Sequence, residues 1–195
     1  MNTPLSQRQQ QIVEVSIHLI AEKGIQNLTI RNISTAIGVT EPALYRHFRS
    51  KSEIILAILD SFQEIARDVL GDLEGNDMGA LEKIRLFVMD RYHRCTEKPE
   101  LAKVMFSEEF FQSDPQYSNK IMEIMHSHKD VVQGMISAGQ KSGEINPELS
   151  PLHLFRIIFG SLRLLIKQWC LSGFGFNLEQ QGEQLWKTLV TMMNA

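Results

Sequence analysis

Three large polar side chains follow one another at Tyr45, Arg46 and His47, within the segment VTEPALYRHF. A phenol, a guanidinium and an imidazole can all donate hydrogen bonds to phosphate oxygens, and a guanidinium can also bind guanine O6 and N7 as a fork. Pro42 precedes them by one turn, where it suits the start of a helix. This combination suits recognition of a polyanion rather than a covalent reaction.

Two short predicted helices would position these side chains, because the surrounding apolar residues recur at helical spacing. Thr29 is a good N-cap for the first helix, Gly38 is suited to end it, and Thr40 is a good N-cap for the second. Leu44 and Phe48 lie four residues apart, so they face one core and leave the polar side chains outside. Such a pair has the form of a helix-turn-helix, whose second helix enters the major groove of DNA.

The wider segment LTIRNISTAIGVTEPALYRHFRSKSEI, residues 28–54, resembles the signature of the TetR family of bacterial transcriptional repressors. The matching parts are a Thr-Ile pair, a Gly-Val-Thr turn, a Leu-Tyr-x-His-Phe core and a Lys-x-x-Ile helix start. The apolar pattern is helical almost throughout, with no convincing strand or repeat. The resemblance implies an all-α fold of about nine helices. Residues 1–50 would form a three-helix DNA-binding domain with the helix-turn-helix, and residues 51–195 a helical ligand-binding and dimerisation domain.

The resemblance also implies DNA-contacting roles for particular side chains. The positions that match phosphate or backbone contacts are Thr29, Arg31, Tyr45, His47 and Lys51. The positions that can reach base edges are Thr40, Glu41, Pro42, Ala43 and Arg46. Arg46 is the best physical candidate for reading a guanine.

Some of these side chains have other possible uses. Glu41 is awkward near phosphates, so it either accepts from cytosine N4 or supports the helix N-terminus, and we favour helix support. Tyr45 could instead pack its ring on the domain surface, and His47 could be a solvated polar residue.

The charge distribution separates the two ends of the chain. Residues 1–51 carry six basic and three acidic side chains, a net charge of +3, whereas the whole chain carries −3 and the remainder therefore −6. A basic N-terminal segment followed by an acidic remainder suggests that the N-terminal segment binds a polyanion and the remainder does not. The implied partner is double-stranded DNA with a palindromic operator, although chance can also produce so small an imbalance.

Two predicted helices, at about residues 148–171 and 177–193, are apolar on more than one face, which indicates burial on two sides. A dimeric DNA reader can span a palindromic site, and TetR-like dimers pair their last two helices into a four-helix bundle. The residues predicted for this homodimer interface are Phe155, Leu162, Leu165, Trp169, Leu185, Trp186 and Leu189. The alternative is that these side chains fill the core of a monomer.

The middle helices would enclose a ligand cavity in this family. The candidate lining residues are Phe62, Phe87, Tyr92, Met105, Phe106, Glu109, Phe110, Met122, Met125, His126, Phe155, Phe159 and Arg163. The chain has 9 Met, whose adaptable side chains suit a variable hydrophobic guest, but such stripes also fill ordinary cores. Arg163 could snorkel outward, pair with an acid or hold an anionic group, and the last use would suit a fatty or acyl compound.

The expected function is a ligand-responsive transcriptional regulator, a repressor by family habit, which a small hydrophobic effector releases from DNA. The alternative is a TetR-like DNA binder whose C-terminal domain docks a protein partner. No enzymatic role, cofactor or metal is expected. His126 and His128 lie two residues apart on a predicted helix, so their side chains diverge and make a poor metal site.

The expected location is the cytoplasm, in association with the nucleoid. No apolar run reaches the roughly 18 residues that a membrane span requires, and the N-terminal residues lack the apolar core of a signal peptide. The 2 Cys lie far apart in the sequence and form no metal motif.

Overall fold

The computed structural model describes residues 5–73, 77–105, 111 and 114–194, with the backbone alone for residues 65–72. Over these residues the chain forms nine α-helices and no β-strand, which confirms the predicted all-α fold. A 3₁₀ turn, Ile25–Asn27, joins the first helix to the second. The helices are α1 (Gln7–Lys23), α2 (Ile30–Ala36), α3 (Glu41–Tyr45), α4 (Lys51–Leu73), α5 (Ala80–Glu97), α6 (Pro99–Met105), α7 (Pro115–Ser142), α8 (Pro151–Leu171) and α9 (Leu178–Met193).

Local capping groups set where the N-terminal helices begin. At α2 the Thr29 hydroxyl accepts a hydrogen bond from the Asn32 N–H at 3.1 Å, as an N-cap should. Thr40 occupies the N-cap position of α3, but over the described residues its side chain makes no capping hydrogen bond. The start of α3 therefore depends on Pro42, which lies in the first turn, and on the packing beneath the helix.

A tight turn and a buried pair of side chains fix α3. Gly38 has a φ of +70°, in the left-handed region, which lets the chain reverse between α2 and α3. Leu44 is fully buried and Phe48 is 2% exposed, so both seat α3 on the core as predicted. The helix itself ends at Tyr45, and the Phe48 N–H donates to the Leu44 carbonyl at 3.2 Å in a closing turn.

Buried apolar side chains form two clusters, which we call the head cluster and the body cluster. The head cluster is built mainly from α1, α2, α3 and the first part of α4, and it includes Ile12, Leu28, Ile33, Leu44, Phe48, Ile54 and Ile58. The body cluster is built mainly from α5, α7, α8 and α9, and it includes Phe87, Tyr92, Ile158, Leu162, Trp169 and Trp186. The domain boundary expected after residue 50 falls at the start of α4, and the head cluster extends across it.

Helix α6 contributes to both clusters. Leu101 and Val104 belong to the head cluster, and Ala102, between them, belongs to the body cluster. The helix also lies against α1, the first helix of the chain. Helices α4 and α7 likewise contribute to both clusters, so over the described residues α4, α6 and α7 all connect the two cores.

Five of the residues predicted for the dimer interface are buried inside the protomer instead. They are Phe155, Leu162, Trp169, Trp186 and Leu189, each at most 8% exposed and each in the body cluster. The physical reason is that α8 packs against α5 and α7, and α9 packs against α5. The faces richest in large apolar side chains therefore cover the protomer's own core, while Leu165 and Leu185 stay partly exposed.

Two further features of the described chain bear on function. Of the described helices, none combines the length and the apolar character that crossing a bilayer requires. The described residues also contain no group of three His, Cys, Asp or Glu side chains that could hold a metal ion.

Candidate functional site

The side chains predicted for DNA contact are all exposed or partly exposed. They lie at the start of α2, along α3 and its closing turn, and at the start of α4; we call this set the recognition surface. Its members are Thr29, Arg31, Thr40, Glu41, Pro42, Ala43, Tyr45, Arg46, His47 and Lys51. Tyr45 is 47% exposed, so burial against the domain does not hide its phenol.

The head cluster holds the recognition surface rigidly from beneath. Leu44 and Phe48 anchor the two ends of the α3 segment in the core. From the side, the Gln9 amide of α1 donates a hydrogen bond to the His47 carbonyl at 3.2 Å. The polar side chains are therefore presented by a backbone that is fixed on two sides, which is the preorganisation that base reading requires.

Arg46 follows the last residue of α3 and keeps helical dihedral angles, with φ of −70° and ψ of −20°. Beside it, a shallow hollow between α1 and α3 is lined by Arg8 and His47 as well as Arg46. Arg8 was not among the predicted contacts, because it lies 38 residues before Arg46 in the sequence and only folding brings the two close together. The hollow adds a second guanidinium to the edge of the recognition surface.

Helix N-termini place Glu41 and Lys51 on the same surface. Glu41 lies in the first turn of α3, where a carboxylate interacts favourably with the helix dipole, in line with the helix-support interpretation. Lys51 is the first residue of α4, beside the positive end of that helix. The Ser50 hydroxyl accepts from the Glu53 N–H at 3.2 Å, and the Glu53 carboxylate accepts from the Arg49 N–H. This capping arrangement orders the start of α4 around Lys51.

A mostly apolar cavity of about 290 Å³ lies in the body between helices α4 to α8. This volume is close to the lower end of the range of about 300–1,000 Å³ that is typical of small-molecule sites. The described lining residues are Leu59, Phe62, Arg91, Met105, Phe111, Ile121, Ile124, Met125, His128, Phe155, Arg156, Phe159, Gly160, Leu162 and Arg163.

Several of the predicted lining residues lie in this described wall: Phe62, Met105, Met125, Phe155, Phe159 and Arg163. Others lie elsewhere. Phe87 packs behind the wall against Phe159, with ring centroids 5.9 Å apart. Tyr92 packs on α9, where a Cβ atom at Gly182 would lie 2.4 Å from its ring.

The remaining predicted lining residues do not face the described cavity or cannot be placed. Met122 is 48% exposed and His126 is also exposed, because both point from the outer face of α7. Phe106, Glu109 and Phe110 lie outside the described residues.

Three further polar residues line the cavity: Arg91, His128 and Arg156. Arg91 is recognisable in the sequence as a polar residue on an otherwise apolar helix face, whereas His128 and Arg156 were not predicted to line the cavity. Arg91 is 6% exposed, and this burial lowers the pKa of its guanidinium. Burial, together with the nearby Arg91, lowers the pKa of His128 to about 4, so its imidazole is neutral at pH 7. Helical spacing is only a weak indication that a polar residue lines a cavity, since a polar residue on an apolar face can equally well extend to solvent.

Helix α6 connects the cavity to the head. Met105, at its C-terminal end, lines the cavity. Near its N-terminal end, the Glu100 carboxylate lies 2.9 Å from Nδ1 of His18 on α1, and this hydrogen bond raises the pKa of His18. A displacement of α6 by a molecule in the cavity would therefore act directly on α1.

Comparisons with known proteins agree with this arrangement. The family model described as bacterial regulatory proteins, tetR family, matches residues 12–58, and that described as YsiA-like protein, C-terminal region, matches residues 60–192. The chain is similar to the fatty acid metabolism regulator protein of Bacillus subtilis, with 23% identity over 184 residues and 93% of each chain covered.

Solved structures share the fold. One is the fatty acid degradation regulator FadR from Bacillus halodurans, with a TM-score of 0.87, 18% identity, and coverage of 96% of this chain and 97% of that one. Another is the transcriptional regulator FadR from Bacillus subtilis in complex with stearoyl-CoA, with a TM-score of 0.83, 23% identity, and coverage of 93% and 97%. At these identities the likeness shows the fold alone.

The position of Arg46 leads to a test of base reading. Arg46→Ala should lower affinity for an operator obtained by binding-site selection by about tenfold or more, since a bidentate guanine contact would be lost. Its affinity for random DNA should change little. Fluorescence anisotropy with both DNAs measures this. Arg49→Ala, which removes a neighbouring exposed guanidinium, is the matched control. Equal losses on both DNAs would remove the base-reading role of Arg46.

The position of Lys51 leads to a test of phosphate contact. Lys51→Ala should weaken binding to all DNA sequences and make the plot of log affinity against log salt shallower by about one unit, because one fewer counterion is released. Lys23→Ala, at the far end of α1, should leave the slope unchanged. An unchanged slope for Lys51→Ala would count against the contact.

Proposed function

The chain belongs to the TetR family of bacterial regulatory proteins and is a DNA-binding transcriptional regulator, and on this premise we propose that it is a repressor controlled by an acyl effector. As a homodimer it binds a palindromic operator. An apolar compound with an anionic head enters the body cavity and releases the DNA. The protein acts in the cytoplasm, at the nucleoid, because its partner is chromosomal DNA.

The observation that carries the DNA-binding part is the recognition surface itself. Its short helix is anchored by Leu44 and Phe48, and its exposed side chains include Arg46 for bases and Tyr45 for phosphate. Lys51, at the positive end of α4, supplies a second phosphate contact. We propose these roles together with those of the other members of the surface.

Exposed apolar side chains on α8 and α9 support the homodimer. On α8, Ile157, Leu164 and Leu171 are 44%, 59% and 78% exposed and recur every seven residues on one face. On α9, Met192 is 56% exposed. Gly160 lies within the α8 stripe and is exposed, so a partner helix can approach its backbone closely. A stripe of this kind on a monomer marks an association surface.

The dimer interface proposed here therefore replaces the predicted one. It keeps the two partly exposed residues, Leu165 and Leu185, and adds the stripe of α8 and Met192. Pairing of α8 and α9 with the same helices of a second copy would bury both stripes in a four-helix arrangement. It would also hold two recognition surfaces at the fixed separation that two half-sites require.

The nature of the cavity supports an effector with a long apolar part and an anionic group. Its described wall is mainly aromatic and aliphatic, which favours a hydrocarbon chain. Arg156 and Arg163 both line the cavity from α8, and Arg156 is exposed, as suits a charged head at the entrance. The fatty acid regulators with which the chain shares its fold, one of them bound to stearoyl-CoA, point to the same class of compound.

Helix α6 supplies a route from effector to DNA. Its residues Leu101 and Val104 pack in the head cluster, while Met105 lines the cavity. We propose that the effector shifts α6, and that its contacts with α1, including the His18–Glu100 hydrogen bond, turn the head away from its operator geometry. The effector must bind this shifted state more tightly for release to occur.

The alternative function is a DNA-binding protein whose body docks a protein partner. A cavity with an apolar wall and few polar groups favours a small molecule instead. The exposed apolar stripe that could have served such a partner is better used by a second copy, because it lies on the helices that a dimer of this fold would pair.

The dimer proposal is tested at Leu164. Leu164→Glu should give a monomer in light scattering and reduce operator affinity about a hundredfold or more, because two charged side chains would face each other across an apolar contact. Met122→Glu changes an equally apolar, half-exposed residue on α7 and should leave the dimer intact. A stable Leu164→Glu dimer would place the interface elsewhere.

The repressor proposal as a whole is tested with DNA chosen by binding-site selection from genomic fragments. Dodecanoate and dodecanoyl-CoA should release this DNA from the wild-type protein, whereas acetate and acetyl-CoA should not, because they bury too little apolar surface. Release by neither long-chain compound at concentrations below those that form micelles would refute an acyl effector.

The contact between Arg156 and the anionic group of the effector can be tested by substitution. Arg156→Met should weaken dodecanoate binding by about fivefold to tenfold and leave dodecanol binding nearly unchanged, because only the acid loses a charge-assisted contact. Lys187→Met, on α9 and outside the described cavity wall, is the control for loss of one positive charge. Equal losses for acid and alcohol would argue that Arg156 acts through packing.

A further inference from the structure

Two polar side chains interrupt the apolar wall of the cavity around one aromatic ring. The Arg91 guanidinium carbon lies 5.1 Å from the centroid of the Phe87 ring. The His128 ring meets the same Phe87 ring edge to face, with centroids 5.9 Å apart. Arg91 and His128 both line the cavity, so they form one polar region that comes from α5 and α7 together.

The surroundings of His128 are aromatic. Its ring lies 5.8 Å from that of Phe159, which in turn packs on Phe155 at 4.5 Å. Within the described part of the chain, the buried Nε2 atom of His128 has no hydrogen-bond partner. Buried polar atoms in folded proteins nearly always have a partner, and a molecule in the cavity could supply one here.

Arg91 already has a carboxylate partner. Oδ2 of Asp90 lies 2.5 Å from Nη2 of Arg91, and the same oxygen accepts a hydrogen bond from Nε of Arg94 at 2.9 Å, so two guanidinium groups share one carboxylate. Because the pKa of His128 is lowered to about 4, its imidazole carries no charge at pH 7. A second carboxylate on the effector would be desolvated and would have to compete with Asp90 for Arg91, whereas an uncharged oxygen would only exchange one hydrogen bond for another.

We propose that Arg91 and His128 form a polar subsite that binds an uncharged, hydrogen-bond-accepting oxygen on the chain of the effector. The effector is then a hydroxy- or oxo-substituted acyl compound rather than an unsubstituted one. In this arrangement the Nε2–H of His128 donates to the oxygen, and Arg91 provides a polar wall beside it. The inference rests on the proposed function, in which an acyl chain occupies this cavity.

The polar subsite differs in burial from the entrance of the cavity, where Arg156 lies. Arg91 is 6% exposed, whereas Arg156 is exposed. The anionic group of the effector would therefore remain in contact with water. The oxygen substituent on its acyl chain would bind at the buried subsite, away from water. A hydroxyl and a ketone present the same acceptor to Nε2–H, so the ligand set below contains both.

The test uses the full-length protein and isothermal titration calorimetry with dodecanoate and its hydroxy and oxo derivatives substituted at carbons 3 to 11. At least one derivative should bind the wild type about tenfold more tightly than dodecanoate does. In His128→Phe, which keeps an aromatic ring among its neighbours, the ratio of derivative affinity to dodecanoate affinity should fall to about one. His126→Phe, the same change at an exposed histidine outside the described cavity wall, should keep the preference.

The outcomes separate the two proposals. If dodecanoate binds but no derivative binds more tightly, or if the preference persists in His128→Phe, the polar subsite is refuted and the acyl effector stands. If no compound of the set binds and dodecanoyl-CoA also fails to release the DNA, both are refuted. Thermal melting checks that His128→Phe is folded, and His128→Leu replaces it if it is not, with the same expected loss of preference.

Discussion

The two hydrophobic cores of this protein share helices, and the shortest of the described helices that they share is α6. Leu101 and Val104 are buried with the head, and Ala102, between them, with the body. Close-packed cores do not deform continuously, so a helix held by both cannot move in one without changing its fit in the other. The cavity borders this helix at Met105, so a bound molecule would lie beside the helix that we propose as the route to the head.

The head and the body place their polar groups differently. In the head, the side chains proposed to contact DNA lie outside a compact core, and burial of Leu44 and Phe48 fixes the segment that carries most of them. In the body, polar groups are placed inside, where desolvation makes each hydrogen bond selective. A surface of exposed donors suits a long polyanion that arrives from solvent. A wall with few buried polar groups suits a small apolar molecule that must be distinguished from its relatives.

The sequence predicted the head in detail because its signals are local. The N-cap at Thr29, the glycine turn at Gly38 and the seating of Leu44 each depend on residues within a few positions of one another. Only the capping role of Thr40 was not reproduced as a hydrogen bond. The predicted all-α fold is confirmed for the same reason, since amphipathic spacing and Pro positions are properties of the chain itself.

The body shows where such signals end. Periodicity indicates that a helix face is buried, but it does not say against what, so Leu162 and Trp169 were predicted at a dimer interface and lie in the protomer core. Likewise, Tyr92 and Phe159 were both predicted to line the cavity, yet packing directs Tyr92 toward α9 and Phe159 toward the cavity. The sequence by itself determined the helices and the chemistry of the recognition surface, because those depend on neighbours in the chain. Tertiary structure alone decided which apolar faces meet, which stay exposed, and that Arg91 and His128 share one wall, because helices far apart in sequence must first be packed together.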